Sequence, residues 1–248
     1  MSAPSAATPA ASSTRRRGGA RKIKLDTELI VTTGLAVAAE TRSNEFSAKA
    51  LGLRLGVDPS AIYRHFRSKS HLMEALLDEL HVRAMDGVTA PPEDWRNRIR
   101  QLALGTLVEY CAHPSIAAES MVLTTHGPGE LRAIELILDA LDRAGLTPDD
   151  VVRHYALFSS YLLSTASGIA RARIESGDEQ TATEGSPWLD GPILADPRVY
   201  PQIARFTGPL ADLDDHETYL LGIETLIRSA ELAAAGARES TVAHPSPA

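Results

Sequence analysis

Apolar residues fall at helical spacing along most of this chain, in stripes cut by Gly, Pro and short polar residues. The first stripe spans Thr27 to Glu40, with Asp26 as cap and Leu25 and Ile30 at staple positions. Its inward residues are Ile30, Leu35 and Val37. The pattern then shortens. Ser47 caps a helix starting at Ala48, Phe46 and Leu51 form a second staple, and Gly56 ends it. Asp58, Pro59 and the Val57–Ile62 pair restart the chain at once, as cap, first helical residue and staple. Ser68 caps a longer helix, Lys69 to Met85, carrying Leu72, Leu76 and Leu80.

Two short helices around a Gly turn, followed by a long one, predict a helix-turn-helix. In the second short helix Ile62 and Phe66 lie four apart and face inward. Pro59, Ser60, Tyr63, Arg64 and His65 are left around the outer and N-terminal surface. That surface is small enough for a major groove and carries donors for bases and phosphates. Lys69 adds a charge at the next helix start, where free N–H groups already favour an anion.

Further along, Pro92 to Ala112 reads as a fifth helix through Trp95, Ile99, Leu102 and Val108. His113-Pro114 ends it, a short helix covers Ile116 to Leu123, and Thr124 to Gly129 is a loop. Leu131, Ile134, Leu138 and Leu141 give a seventh helix ending at Gly145. Thr147-Pro148-Asp149-Asp150 starts an eighth with cap, first-turn Pro and two carboxylates. From Tyr155 to Ala170 it carries no charge, which predicts burial on all sides, one against the domain core and one against a partner chain. Ala156, Ser159, Ser160 and Ser164 permit close approach. Ser176 to Gly191 reads as a mobile loop, Pro197 to Phe206 as a short helix, and Asp215 to Ala235 as the last long helix. Its stripe is Tyr219, Ile223, Leu226, Ile227 and Ala230.

Composition adds direction. The chain is 44% hydrophobic but only 5% aromatic, with Leu and Ala dominant, which favours helix over sheet. The net charge is −7, yet the average misleads. Residues 1–69 hold 12 Lys and Arg against 5 Asp and Glu, a net of +7; the rest holds 13 against 27, a net of −14. A basic head on an acidic body suits a chain that meets DNA with one end. Arg15, Arg16, Arg17, Arg21, Lys22 and Lys24 form a basic arm, read either as a phosphate or minor-groove contact or as a solvated tail. The single Cys111 fits a reducing cytoplasm, no signal peptide is expected, and no apolar run reaches membrane-spanning length.

The stretch LGVDPSAIYRHFRSKSHLMEALL resembles the signature of the TetR (tetracycline-repressor-like) family of bacterial regulators, over roughly residues 25 to 80. That resemblance implies a homodimer with an N-terminal DNA-binding domain, a C-terminal helical ligand domain, and release from DNA when a small molecule binds. It implies that Tyr63, His65 and Lys69 hold phosphates, and that Lys49, Ser60, Ala61 and Arg64 face bases. With Ser47 and Pro59 these make the candidate DNA face. Two positions depart from the pattern: Arg42 stands where the family has Gly, and Gly52 where it has Ala. Gly52 costs about 1 kcal/mol of helix propensity, and makes room for closer packing on the recognition helix.

The resulting expectation is an all-α chain. Residues 1–20 form a disordered basic arm, 21–68 the helix-turn-helix domain, 69–235 a ligand-binding and dimerisation bundle, and 236–248 a disordered tail. The dimer is expected through helices near 148–174 and 215–235, as a four-helix bundle on a two-fold axis. Family geometry places a cavity among helices five to eight. Its candidate lining is Leu102, Thr106, Tyr110, Met121, His126, Leu138, Tyr155, Phe158 and Leu162, each also readable as plain core. His126 and Tyr155 are its polar handles, and Trp188 a possible lid. So few charges point to an apolar or aromatic effector. Asp78-x-x-His81 has di-iron spacing without a second copy, and no hydrolase, zinc or phosphate-loop motif occurs. Neither a cofactor nor a metal is expected, and the chain reads as no enzyme. Two alternatives stay open: a helical ligand-binding or adaptor protein without operator-specific function, and an activator of the same fold.

Overall fold

A computed structural model describes residues 25–41, 45–175, 185–189 and 191–243. The basic arm, Arg42 and most of the Ser176–Gly191 loop lie outside the described residues.

The head comprises α1 (Thr27–Thr41), α2 (Ala48–Leu55) and α3 (Pro59–Ile62). Local chemistry sets their ends. The Ser47 hydroxyl accepts the Ala50 N–H at 3.2 Å, and Gly56 closes α2 in the left-handed region at φ 69°. Asp58 accepts the Ser60 N–H at 2.8 Å and starts α3 two residues later. α3 is one turn long, and Tyr63–His65 continue it as turns. α4 (Lys69–Asp86) starts on Ser68, whose hydroxyl accepts the His71 N–H at 3.1 Å.

α4 is buried on two sides. A Cβ on Gly34 of α1 would stand 2.8 Å from Leu76, so this glycine lets α1 settle onto α4. Leu77, Asp78 and Ala84 are also buried, and here α4 packs on α5 (Trp95–Ala112) and α7 (Pro128–Ala144). A Cβ on Gly105 of α5 would lie 2.9 Å from the Ala84 carbonyl, and one on Gly129 of α7 would overlap the Asp78 carbonyl. Both crossings therefore bring backbone to backbone. One apolar core runs without interruption from Ile30 in the head to Ala234 in the body.

α6 (Pro114–Ala117) and a 3-10 turn (Ala118–Met121) lead from α5 towards α7. α8 (Pro148–Glu175) packs on α5, α7 and α10 (Asp215–Ala243), and α9 (Pro201–Ala211) precedes α10. Among the described residues, extended pairing is confined to one isolated bridge, Pro187 with Asp214. No helix there is long and apolar enough to cross a membrane.

Several expectations change. Leu131 is 56% exposed and Ile134 and Leu138 half-buried, while Gly129, Leu136, Ile137, Ala140, Leu141 and Ala144 face inward. The backbone contact at Gly129 sets the rotation of α7. Val108 lies outward beside Leu104, because the buried sides of α5 use Leu107 and Tyr110. α9 starts at Pro201 rather than Pro197 and has no buried residue. α10 continues through Gly236 to Ala243, where a disordered tail was expected. Its Ala, Glu and Arg content offsets one glycine, and Arg238 donates to the Ala144 carbonyl at 3.3 Å.

Candidate nucleic-acid interface and internal cavity

Ile62 and Phe66 are buried, which turns the rest of the α3 segment outward. Ser47, Lys49, Ser60, Tyr63, Arg64, His65 and Lys69 are exposed or partly so, and Pro59 and Ala61 stand beside them on the same segment. The nine candidates thus share the solvent side of α2, α3 and the α4 start. The Ser60 hydroxyl and N–H hold the Asp58 carboxyl below its ordinary range, so this hydroxyl serves the cap. Gly52 lets the two helices meet: a Cβ there would lie 3.0 Å from the Val57 carbonyl and 3.1 Å from the Pro59 ring. Between α2 and α3 runs a groove of ≈ 460 Å³ lined by Ser47, Lys49, Ala50, Leu53, Val57, Asp58 and Pro59. Leu53 is 84% exposed there. Sequence reasoning missed it, although it stands one turn beyond Lys49 on the same outward side. Arg54 grips Glu40 of α1 with two hydrogen bonds of 2.7 Å, fixing α2 on the head without using that face.

In the body, α4, α5, α7 and α8 enclose a cavity of ≈ 70 Å³. Leu102, Thr106, Tyr155 and Leu162 line it, with His81, Glu130, Ala133, Ile134, Ile137, Ser159 and Leu163. The other five candidates lie elsewhere. Tyr110 is fully buried behind the wall, its hydroxyl 3.3 Å from His81 Nε2. Met121 is 54% exposed at the end of the 3-10 turn. His126 lies in the turn before α7, its N–H donating to Glu130 at 2.6 Å. Leu138 packs on the core outside the lining. Phe158, beside Leu162 on α8, lines a separate, smaller space with Trp95, Ile99, Leu141 and Leu226. Trp188 borders a separate hollow of ≈ 340 Å³ between α8 and the start of α10, so it does not cover the cavity.

Sequence reasoning also missed what Asp78 does. Its buried carboxylate accepts the N–H groups of Gly129 (3.1 Å) and Glu130 (2.9 Å) and the Thr125 hydroxyl (2.9 Å). Gly127, at the cap position of α7, has no side chain to cap with, so α4 caps α7 from outside. The Asp-x-x-His spacing signals a helix junction. Among the described residues, no group of three or more His, Cys, Asp or Glu is arranged to hold a metal.

At the far end, Arg173 of α8 and Asp215 of α10 form a buried ion pair with contacts of 2.6 and 3.0 Å. Asp215 also accepts the Ser186 N–H at 3.0 Å, and the Trp188 N–H donates to the Leu213 carbonyl at 2.7 Å. Segment 185–189, read from sequence as part of a mobile loop, is tied down here.

A head of three helices with an exposed one-turn third helix, joined by a shared helix to an all-helical body, is the architecture of a helix-turn-helix regulator. Residues 30–76 match the tetR family of bacterial regulatory proteins, and residues 88–230 the tetracyclin repressor-like C-terminal domain. The chain belongs to the tetR family. It is 25% identical over 208 residues to the HTH-type transcriptional repressor Rv1353c of Mycobacterium tuberculosis, covering 81% of this chain and 76% of that one. A transcriptional regulator described as a TetR from Streptomyces coelicolor superposes with a TM-score of 0.65 at 25% identity, over 85% of this chain and 100% of that chain. The S. coelicolor protein ActR, in complex with actinorhodin, shares the fold at a TM-score of 0.68 and 18% identity, over 85% and 99% of the two chains.

Proposed function

We propose that the chain is a ligand-responsive transcriptional repressor that binds a near-palindromic operator as a homodimer and is released by a small apolar or aromatic effector. The observation that carries this reading is the head: the candidate DNA residues share one solvent-facing side while Ile62 and Phe66 anchor that side from beneath. Repression is the activity named for Rv1353c, and ActR is named in complex with actinorhodin. Both support the reading without fixing the operator or the effector.

The dimer rests on surfaces this chain leaves uncovered. α8 exposes Val152, Ala156, Leu157, Ser160, Ser164 and Gly168, and α10 exposes Leu221, Thr225, Leu232 and Ala235, each at helical spacing. The two helices pack on each other, so a second copy meets them together. A single short reading helix contacts too few bases, and two of them roughly 34–36 Å apart read successive turns of one DNA face.

Ligand and DNA are coupled through α4, which belongs to both the head core and the cavity wall. A differential affinity of about 1–3 kcal/mol between two dimer shapes gives a usable switch. The test is recovery of genomic fragments on the full chain at near-physiological salt. A shared palindrome supports the regulator, whereas recovery without any motif refutes operator-specific binding. A ligand that shifts DNA affinity supports coupling, and independent titrations would sink it.

A further inference from the structure

The polar groups of the cavity lining include His81, Thr106 and Glu130, and one of these is incomplete. The Thr106 hydroxyl donates to the Leu102 carbonyl at 2.9 Å. Glu130 accepts the His126 N–H at 2.6 Å and the Thr125 hydroxyl at 3.3 Å. His81 differs. Its Nε2 meets the Tyr110 hydroxyl at 3.3 Å, while Nδ1 is buried with no hydrogen-bond partner. An unmet buried nitrogen is a place where a ligand group gains a hydrogen bond at no loss of one to water.

Charge narrows the choice. The lining holds the Glu130 carboxylate and neither Lys nor Arg. Asp78 stands one turn before His81 on the same helix, and Tyr110 and Tyr155 approach from α5 and α8. Burial lowers the His81 pKa from 6.5, outweighing the opposing pull of Asp78 and Glu130, so the ring is neutral at neutral pH. An anionic ligand would meet Glu130 with no cation to balance it. A neutral imidazole has one donor and one acceptor nitrogen, and the direction of the Tyr110 bond decides which is Nδ1. A hydroxyl serves either case, because it both donates and accepts.

We infer that the cavity takes an uncharged, largely apolar molecule whose hydroxyl or phenol bonds His81 Nδ1, with His81 as the specificity-determining residue. The inference rests on the cavity being the effector site. At ≈ 70 Å³ the space is smaller than the cavity of roughly 150 Å³ that accepts benzene, so binding widens it. Backbone contacts lock α4 to α7 at Gly129 and to α5 at Gly105. The remaining side of the space is formed by α8, with Tyr155, Ser159, Leu162 and Leu163.

Phenol, toluene and benzoate separate the contributions. Each is titrated into the full chain by calorimetry, with the ring nitrogens followed by 15N NMR. Phenol should bind about tenfold more tightly than toluene or benzoate, the worth of one buried hydrogen bond, and should shift the His81 signals. In His81→Leu phenol should fall to the toluene level while toluene itself changes by less than about twofold. The inference is overturned if phenol fails to bind, if benzoate matches it, if the preference survives His81→Leu, or if that variant weakens phenol and toluene alike. These titrations contain no DNA. A recovered palindrome with no phenol preference removes this inference alone, and a phenol preference with no palindrome removes the operator reading alone.

Discussion

Lys69 and Arg64 are both exposed cations, yet they stand differently. Lys69 sits in the first turn of α4 and Arg64 directly after α3; on the proposed reading the first meets a phosphate and the second a base edge. Lys69→Ala is expected to weaken operator and random DNA alike and to reduce the salt slope by about one, in fluorescence anisotropy across a salt series. Arg64→Ala should cost about 1–3 kcal/mol on the operator and relax one position per half-site. Equal losses on both DNAs would remove Arg64 as a base reader. His81 and His113 make a second residue-level prediction. Burial lowers both from 6.5, so the unfolded chain takes up protons before the folded one does. Stability is therefore fully present above 6.5 and is lost as pH falls from there through the lower folded values. Glu109 beside His113 is raised by burial and works in the opposite sense at lower pH. Melting temperature should drop between about pH 7.5 and 5.5, and His113→Gln should flatten that drop; an unchanged slope would rule His113 out as a contributor. The caps at Ser47, Asp58 and Ser68 were legible because a cap is bonded within three residues of itself. The role of Asp78 was not, since its partners lie about fifty residues away.

At the scale of elements, the α4–α7 and α8–α10 junctions hold the body. Asp78→Ala would leave the buried Gly129 N–H without an acceptor, and a loss of about 2 kcal/mol is expected in urea titration. Asp78→Asn, which keeps one acceptor, should lose less; matching losses would show that the cap is not what the carboxylate provides. Arg173→Met would strand Asp215 in the interior and is expected to destabilise by about 3–5 kcal/mol. A stability within about 1 kcal/mol of the parent, roughly fivefold in equilibrium constant, would place the junction's strength elsewhere. Helix existence was readable from spacing almost throughout, whereas helix rotation was not always so. α7 offers Leu131, Ile134 and Leu138 on one side and Ile137, Ala140 and Ala144 on another, and period alone does not choose between them. The close crossing at Gly129 does, because only one rotation puts that glycine against the Asp78 backbone. The cavity candidates suffered in the same way. Phe158 and Leu162 are neighbours on α8, yet the first faces α10 and the second the cavity.

For the whole molecule, the uncovered stripes on α8 and α10 carry the assembly prediction. Leu157 and Leu221 are 55% and 61% exposed, so Leu157→Asp with Leu221→Asp should leave the fold intact and convert a dimer to a monomer in light scattering. A dimer that persists would move the interface elsewhere, with α9, none of whose residues is fully buried, as the next surface to mutate. Loss of the dimer should also remove operator binding while leaving weak, salt-sensitive binding to any DNA. By itself, the sequence determined the all-helical class, the capped helix-turn-helix and its outward residues, and the division of charge between head and body. Caps, turns and stripes act within a few residues, and net charge needs no coordinates at all. Only the tertiary structure decided which face of α7 looks inward, that Asp78 caps a distant helix, and that His81 rather than His126 borders the cavity. Each of those depends on where two helices cross, and a crossing is set by backbone contacts between segments that no local pattern connects.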